Sequence, residues 1–340
     1  MQKGGFFRFL ICLTICFTVV IYNGIKLFVP IKAEQVKTEK TQDIVFFDDT
    51  IPQKQETIVI KEEQAEPQKI EVATGAVLGN VISKYISPYT AGLSYDGVYV
   101  KNSTPLKIDL KEFLKSSLKF KIKKNTEPQI LIMHTHTTET FMQTDSNVYT
   151  ESFKSRTCDN NKNMAKIGSI IVERLNAEGI VTLHDKTQHD YPEYTGSYTR
   201  SAKTVNSYLK KYPSIKIVLD LHRDSVTQGE NDKVKLVTEI NGKKAAQVML
   251  VMGSQSGSVT NYPNWKENFK LAVKLQQTME KMYPTLARPI MLMSKNYNQS
   301  LSTGSLLLEF GTEANSLSEA EYSANLVADS LIVFLKQIGE

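Results

Sequence analysis

From about residue 128 onward, apolar residues follow two alternating rhythms. Ile130–Met133 is a short continuous apolar run. Met164, Ile167, Ile170, Ile171 and Leu175 then share one helical face, and Gly179 follows as a stop. Residues 180–183 read as a second strand, and Val205, Tyr208 and Leu209 mark a second helix closed by Pro213. Residues 215–221 are apolar almost throughout, as expected of a parallel strand covered on both faces. Segments 234–240 and 245–252 flank Asn241-Gly242, the turn pair of a tight hairpin. Trp265, Phe269, Ala272, Leu275, Met279 and Met282 repeat at helical spacing until Pro284, and Ile290–Met293 and 306–310 are further strands. A last helix runs to about Gln337 from a capping box at Ser318-x-x-Glu321. This alternation predicts an α/β domain over 127–340: a mostly parallel central sheet flanked by helices, with one antiparallel hairpin.

The rhythm is absent upstream. Residues 9–25 are seventeen positions without a charge, preceded by Lys3 and Arg8. Lys26 can snorkel, which extends the apolar stretch through Val29 to roughly a bilayer's needs. Pro30-Ile31-Lys32-Ala33 is a poor cleavage site, so 1–32 reads as a cytoplasmic stub and single transmembrane anchor rather than a cleaved signal peptide. Residues 33–74 are rich in Lys, Glu, Gln and Pro, with small apolar patches such as Ile44-Val45-Phe46-Phe47, and read as a flexible spacer. Residues 75–126 read as a small extension, with a strand at Val98-Tyr99-Val100 and an amphipathic helix over 108–118.

Composition narrows the classes. With 340 residues, 41% of them hydrophobic and 23% charged, the chain can bury a sizeable core. A net charge of +5 is far from a nucleic-acid footprint and suits weak attraction to membranes or cell-wall polymers. Cys12 and Cys16 lie in the apolar run and Cys158 stands alone, so the body has no internal disulfide and no cysteine metal site. Gly253-Ser-Gln-Ser-Gly257 lacks the lysine and spacing of a phosphate loop.

The candidate chemistry lies in the histidines, of which there are five. His134 and His136 follow the strand Ile130–Met133, and His222 follows 215–221. Strand ends of this kind converge on one crevice of an open α/β sheet. Glu139 completes His136-x-x-Glu139. Two imidazoles and a carboxylate suit one zinc ion per chain with a fourth position left for water. Glu309, at the end of another apolar strand, is the candidate general base and acid. His134 and His136 differ by two and share a side of an ideal strand, so spacing cannot choose between them; His136 is preferred for its pairing with Glu139. Asp220 and Asp224 are candidates to orient an imidazole, and Arg223 to hold a substrate carboxylate or pair with an acid. His184 and His189 read as surface histidines.

Taken together, Ile132-Met-His-Thr-His-Thr-Thr-Glu-Thr-Phe141, Val218-Leu-Asp-Leu-His-Arg-Asp224 and Leu307-Leu-Glu-Phe-Gly-Thr-Glu-Ala-Asn315 resemble the stage II sporulation protein P family. Tyr297-Asn-Gln-Ser-Leu301 and the anchor-plus-spacer layout add to the likeness, which covers roughly residues 95 to 340. That family is similar to the zinc N-acetylmuramoyl-L-alanine amidases, whose last motif corresponds here to Glu309-x-Gly311-x-x-x-Asn315. The resemblance implies a zinc amidase- or carboxypeptidase-like fold and a membrane-bound, extracytoplasmic hydrolase acting on peptidoglycan during spore engulfment. It implies cleavage of the muramoyl–L-alanine amide, a second cut in stem-peptide cross-links, and stage II sporulation proteins D and M as partners. In the general amidases the metal carboxylate opens the first helix. Here that helix start has no Glu, which leaves Glu139 as the ligand and Glu151 as the reserve. The rival readings are a carboxypeptidase-like zinc peptidase and a non-catalytic wall-binding scaffold.

Overall fold

The computed structural model describes residues 75–123 and 127–339, and upstream the backbone of β1 (Gln42–Phe46), β2 (Glu56–Ile58) and β3 (Lys61–Glu62). These three strands fall within 33–74, the stretch expected to be a spacer, and the apolar Ile44-Val45-Phe46 lies in β1. The expected anchor and the rest of the spacer lie outside the described residues. Among the described residues, no helix is long and apolar enough to cross a membrane.

One sheet runs in the order β5 (Leu93–Tyr95), β6 (Val98–Asn102), β15 (Ile290–Met293), β14 (Val248–Gly253), β16 (Ser305–Thr312), β10 (Ile217–Asp224), β7 (Ile130–Met133) and β9 (Thr182–His184). It is mixed, which corrects the expectation of a mostly parallel sheet. Strands β9, β7, β10 and β16 are mutually parallel, but β14 opposes β16; β15 and β6 run with β14, and β5 turns back. The connections explain the reversal. Helices α2 (Met164–Ala177) and α3 (Ser197–Lys211) carry the chain from β7 to β9 and from β9 to β10, each returning it in the same direction. From β10 to β14 the chain passes through strands alone, so β14 enters from the opposite end.

Those intervening strands, β11 (Val226–Gln228), β12 (Asp232–Ile240) and β13 (Lys243–Ala246), join β1, β2, β3, β4 (Val77–Tyr85) and β8 (Val148–Thr150) in a second sheet. Every pairing in it is antiparallel except β12 with β4. The β12–β13 hairpin turns on Asn241 and Gly242, whose φ angles of 51° and 72° are the pair a tight hairpin needs. Its return strand stops before Gln247, whose side-chain amide bonds Ile86 and Thr285 backbone, and the chain then crosses to β14.

Segment 75–126 supplies β4 to the second sheet and β5 and β6 to the first. Its helix α1 (Leu110–Lys115) is shorter than the expected 108–118, because the Asp109 side chain caps its start and Ser116 returns to extended backbone. Phe113 of α1 packs edge-on against Phe269 of α4 (Trp265–Met282), at 4.8 Å between ring centroids. The last helix, α5 (Leu317–Gln337), is capped two residues before the expected position. Ser316 Oγ accepts from Glu319 N at 3.2 Å and Glu319 Oε2 accepts from Ser316 N at 3.0 Å, so Ser318 already lies in the first turn.

Alternate residues of the central strands divide the packing. Ile130, Ile132, Leu219, Leu221, Leu306 and Leu308 join helices α2, α4 and α5 in the main core. Leu131, Met133 and Val218 point the other way, onto Val205 of α3, and Met249, Val251 and Leu307 form a smaller apolar floor beside them. Fully buried central strands are why their sequences read as continuous apolar runs.

Candidate metal and catalytic centre

Register builds the site. Asp220 of β10 lies opposite Met133 of β7, and His222 lies opposite Glu309 of β16. The carboxyl end of β7 and the carboxylate of β16 therefore meet the same short stretch of β10, at the strand-end crevice where open α/β sheets bind ligands. Asp220 and His222 are two apart and face the same side, as do Leu307 and Glu309.

After Met133 the chain turns, and Thr135 locks the turn by donating its N–H (2.8 Å) and hydroxyl (2.6 Å) to the Asp220 carboxylate. The turn carries His136 to within 5.2 Å of the His222 ring, edge to face. Glu139 follows, with its Oε2 3.7 Å from His222 Nδ1 and accepting from Arg223 N at 3.2 Å. On the other side of the ring, His222 Nε2 lies 2.9 Å from Asp220 Oδ1, but off the N–H axis, so the contact is close without being a well-directed hydrogen bond. His136, Glu139 and His222 are at most 6% exposed. Glu309 is half-buried, and its Oε2 is shut from solvent with no hydrogen-bond partner; the same is true of His136 Nδ1.

His134 takes a different path. Strand β7 ends at Met133, so the alternation that equates 134 with 136 ends there too. His134 turns toward α2, where its Nδ1 donates to Leu221 O at 3.1 Å and its Nε2 meets His184 Nε2 at 2.9 Å. Both ring nitrogens are thus engaged inside the fold. Helix α2 leaves room for the pair at Gly168, where a Cβ would stand 2.8 Å from His134 Nε2 and 2.5 Å from His184 Nε2. The expectation of surface histidines at 184 and 189 is corrected: His184 is half-buried in this pair, and His189 is buried between His134 O and Thr204 Oγ1, at 2.8 Å each.

Burial and neighbouring charge set the protonation states. Burial, reinforced by the charges of His222 and Arg156, lowers the His136 pKa to about 2, so that imidazole is neutral and offers a lone pair. Burial alone would lower His222, but the Asp220 carboxylate, aided by Glu139 and Glu309, raises it to about 10. Burial raises Glu309 to about 8, with Asp224 and Glu139 adding to it and His222 opposing. Burial also raises Glu139 against the pull of Arg223. Asp220 is held low because His222 and Thr135 outweigh its burial.

The remaining candidates sit around this centre in structural contacts. Arg223 sends its guanidinium to Thr140 O (3.1 Å) and Ser155 O (2.8 Å), with Glu313 beyond. Asp224 pairs with Arg288 Nη2 at 2.9 Å rather than with an imidazole. Asn315 is fully buried and bonds Thr312 N, the Leu236 backbone and Glu319. Gly311, with φ +58°, is required by that packing, since a Cβ there would lie 2.5 Å from Asn315 Oδ1. Glu151 is exposed on the turn after β8.

Sequence reasoning missed Tyr194, Tyr198, Arg156 and Asp190. The Tyr194 ring stacks on His136 at 4.5 Å, Tyr198 meets it edge-on at 5.6 Å, and Arg156 lies 4.4 Å over the Tyr194 ring. All four lie outside the regular strands that guided the search, and no spacing relates them to His136.

Among the described residues, no three His, Cys, Asp or Glu side chains already stand at metal-ligating spacing. The donors nevertheless fit a zinc ion in kind and place. Ligand atoms about 2.0–2.1 Å from a tetrahedral zinc are about 3.3 Å from one another. The Glu139–His222 separation of 3.7 Å is close to that, and the lone pair of His136 Nδ1 lies buried and unpartnered beside them.

Fold and site together define a mixed α/β protein with a His-Glu-His cluster and a half-buried acid at its strand ends. The stage II sporulation protein P family model matches residues 22–332, and the chain belongs to that family. The stage II sporulation protein P of Bacillus subtilis (strain 168) is 30% identical over 216 residues, which are 59% of this chain and 49% of that protein. The chain thus spans about half the length of the curated relative it matches. Solved structures with partial likeness include the Clostridioides difficile CwlD amidase in complex with the GerS lipoprotein, at 10% identity and TM-score 0.39 over 62% of this chain and 98% of that one. The Mycobacterium smegmatis N-acetylmuramyl-L-alanine amidase Ami1 stands at 10% identity and TM-score 0.37, over 63% and 99%.

Proposed function

We propose that this protein is a membrane-anchored, extracytoplasmic zinc hydrolase that cuts the N-acetylmuramoyl–L-alanine amide of peptidoglycan during engulfment. His136, Glu139 and His222 hold one zinc, and Glu309 moves the proton. A second cut, in stem-peptide cross-links, and association with stage II sporulation proteins D and M belong to the same proposal. The observation that carries it is the placing of His136, Glu139 and Glu309 around His222, with His136 Nδ1 and Glu309 Oε2 shut from solvent and unpartnered.

Bound zinc would supply Lewis acidity, making water nucleophilic near neutral pH. The chain's own groups do the rest. Asp220 holds the far side of His222 and Arg223 N–H holds Glu139, so both donors are oriented before a ligand arrives. Glu309 takes the proton of the attacking water and returns it to the amide nitrogen as the C–N bond breaks, leaving a lactyl carboxylate and a free L-alanine amine. A carboxyl group with a pKa raised toward neutrality both accepts and releases a proton near pH 7.

The test is mass spectrometry of muropeptides released from sacculi by the full chain, with and without chelator, alongside Glu309→Gln. New lactyl carboxylates and L-alanine amines that need zinc and disappear in Glu309→Gln support the reading. Released C-terminal amino acids would assign a carboxypeptidase instead. Metal-free protein that binds sacculi without cutting them would assign a scaffold.

A further inference from the structure

A short stretch of chain runs back beside the turn that carries Glu139. Thr140 N donates to Ser155 O (3.2 Å) and Thr157 N to Thr138 O (2.8 Å), so Arg156 stands directly opposite Glu139 in an antiparallel bridge. Residues opposite one another in such a pair send their side chains to the same side. Backbone geometry thus sets Arg156 beside the proposed metal turn, and three contacts then fix its guanidinium. Asp190, whose side chain is shut from solvent, takes Nη1 at 2.5 Å. The centre of the Tyr194 ring lies 4.4 Å from the guanidinium carbon, a cation–π contact. Nη2 stands 3.7 Å from Glu139 Oε1, which is beyond a hydrogen bond.

Among the described residues, the hydrogen bonds of the Arg156 side chain all leave from Nη1, to Asp190 and to Thr138 Oγ1. That leaves Nη2 without an acceptor on a side chain that is 36% exposed. The neighbouring arginines are spent. Arg223 is buried on Thr140 O and Ser155 O, and Arg288 is buried on Asp224. Arg200 gives all three of its nitrogens to backbone oxygens of the loop 185–196 between β9 and α3. The carboxylate-holding role considered for Arg223 therefore falls to Arg156. A guanidinium is charged at every working pH, carries only donors, and is here already held in place, so it takes a carboxylate in preference to a neutral amide.

We propose that Arg156 is a specificity-determining residue that binds the free α-carboxylate of the second stem residue, the D-glutamate following the L-alanine of the scissile amide. This rests on the amidase reading above. In the stem that glutamate is linked through its γ-carboxyl, so its α-carboxyl is either free or amidated. It lies one residue beyond the bond to be cut, and one residue spans about 3.5 Å of chain. The separation of Arg156 Nη2 from the Glu139 carboxylate is of that size. An amidated stem removes the charge and can turn an NH2 toward the guanidinium, donor against donor.

The experiment uses the full chain purified in detergent, at saturating zinc, on glycan strands polymerised from two forms of one precursor. The second stem residue is D-glutamate in one and D-isoglutamine in the other, and release of L-alanine amines gives kcat and KM for each. Wild type is expected to prefer the acid by about 10-fold, carried by KM, as for one charge-assisted hydrogen bond on a partly exposed group. Added salt narrows that ratio. Arg156→Gln is expected to bring the ratio close to one. Arg156→Lys keeps the charge opposite Asp190 but not the planar fork, and retains part of the preference. A purely structural Arg156 would slow both substrates alike and leave the ratio at its wild-type value. That result, or a wild type that cuts the amidated strand as well as the acid, overturns the inference while leaving the amidase intact. A wild type that cuts neither strand overturns both.

Discussion

Gly168→Ala tests the placement of His134 and His184 with an unusually clear sign. Gly168 lies inside α2, and in an exposed helix its replacement by alanine stabilises by about 1 kcal/mol through backbone entropy. The His pair predicts the reverse. A Cβ would stand 2.5 Å from His184 Nε2 and 2.8 Å from His134 Nε2, so at least one imidazole must move. Displacing His184 breaks the 2.9 Å contact between the rings, and displacing His134 also breaks its bond to Leu221 O. Each buried bond lost costs about 1–3 kcal/mol where a partner stays unsatisfied, and overpacking adds about 1–3 kcal/mol. Offset by the helix gain, the net loss for one broken bond is about 1–5 kcal/mol. Leu221 precedes His222, so the disturbance reaches the proposed zinc site as well. Urea unfolding of the metal-free and zinc-loaded protein measures both effects. Stability equal to or above wild type would refute the buried His pair and with it the exclusion of His134 from the metal.

Other outcomes follow from the same contacts. Asp220→Asn keeps the shape beside His222 but removes the carboxylate packed against its far nitrogen, and zinc affinity measured by chelator competition should fall about 10- to 100-fold. Arg223→Ala should destabilise the fold by about 2–4 kcal/mol, because Thr140 O and Ser155 O lose their donors. If its role were instead to hold a substrate carboxylate, KM would rise with stability unchanged. Asn315→Ala should cost about 3 kcal/mol in urea unfolding, leaving Thr312 N and the Leu236 backbone without their buried partner. A purely catalytic Asn315 would instead lose turnover at full stability.

The sequence carried the site as far as strand ends carry information. His222 and Glu309 were legible because each closes a continuous apolar run, and such runs in parallel strands end at a common edge. Their direct register, residue opposite residue, is the consequence. The choice between His134 and His136 was not legible, because it depends on where β7 stops hydrogen bonding. That point is set by Asp220 of another strand capturing Thr135, and no property of the segment 130–140 itself fixes it. The same holds for sheet direction. Apolar runs of either sense look alike, and β14 opposes β16 only because the preceding connection contains hairpins and no helix. Even the shielding of His184 and His189 needed a distant cause, the glycine notch of α2 and the hydroxyl of Thr204.

This division bears on how the centre works. The groups proposed to touch metal or substrate come from strand ends and the turn directly after one, whose positions the buried sheet fixes. The groups that orient them come from Thr135, Arg223 N–H and loop 185–196, each reaching across from a different segment. A reactive set assembled this way tolerates little error in any one loop, since an imidazole turned about its axis presents the wrong nitrogen. Tyr194, stacked on His136, and Asp220, beside His222, therefore act on the same variable, the rotation of two imidazoles. Combining Tyr194→Ala with Asp220→Asn should then reduce zinc affinity by the product of the single effects if each histidine is positioned independently. A double variant no worse than the weaker single one would mean that one imidazole alone limits binding, and would remove either His136 or His222 from the ligand set.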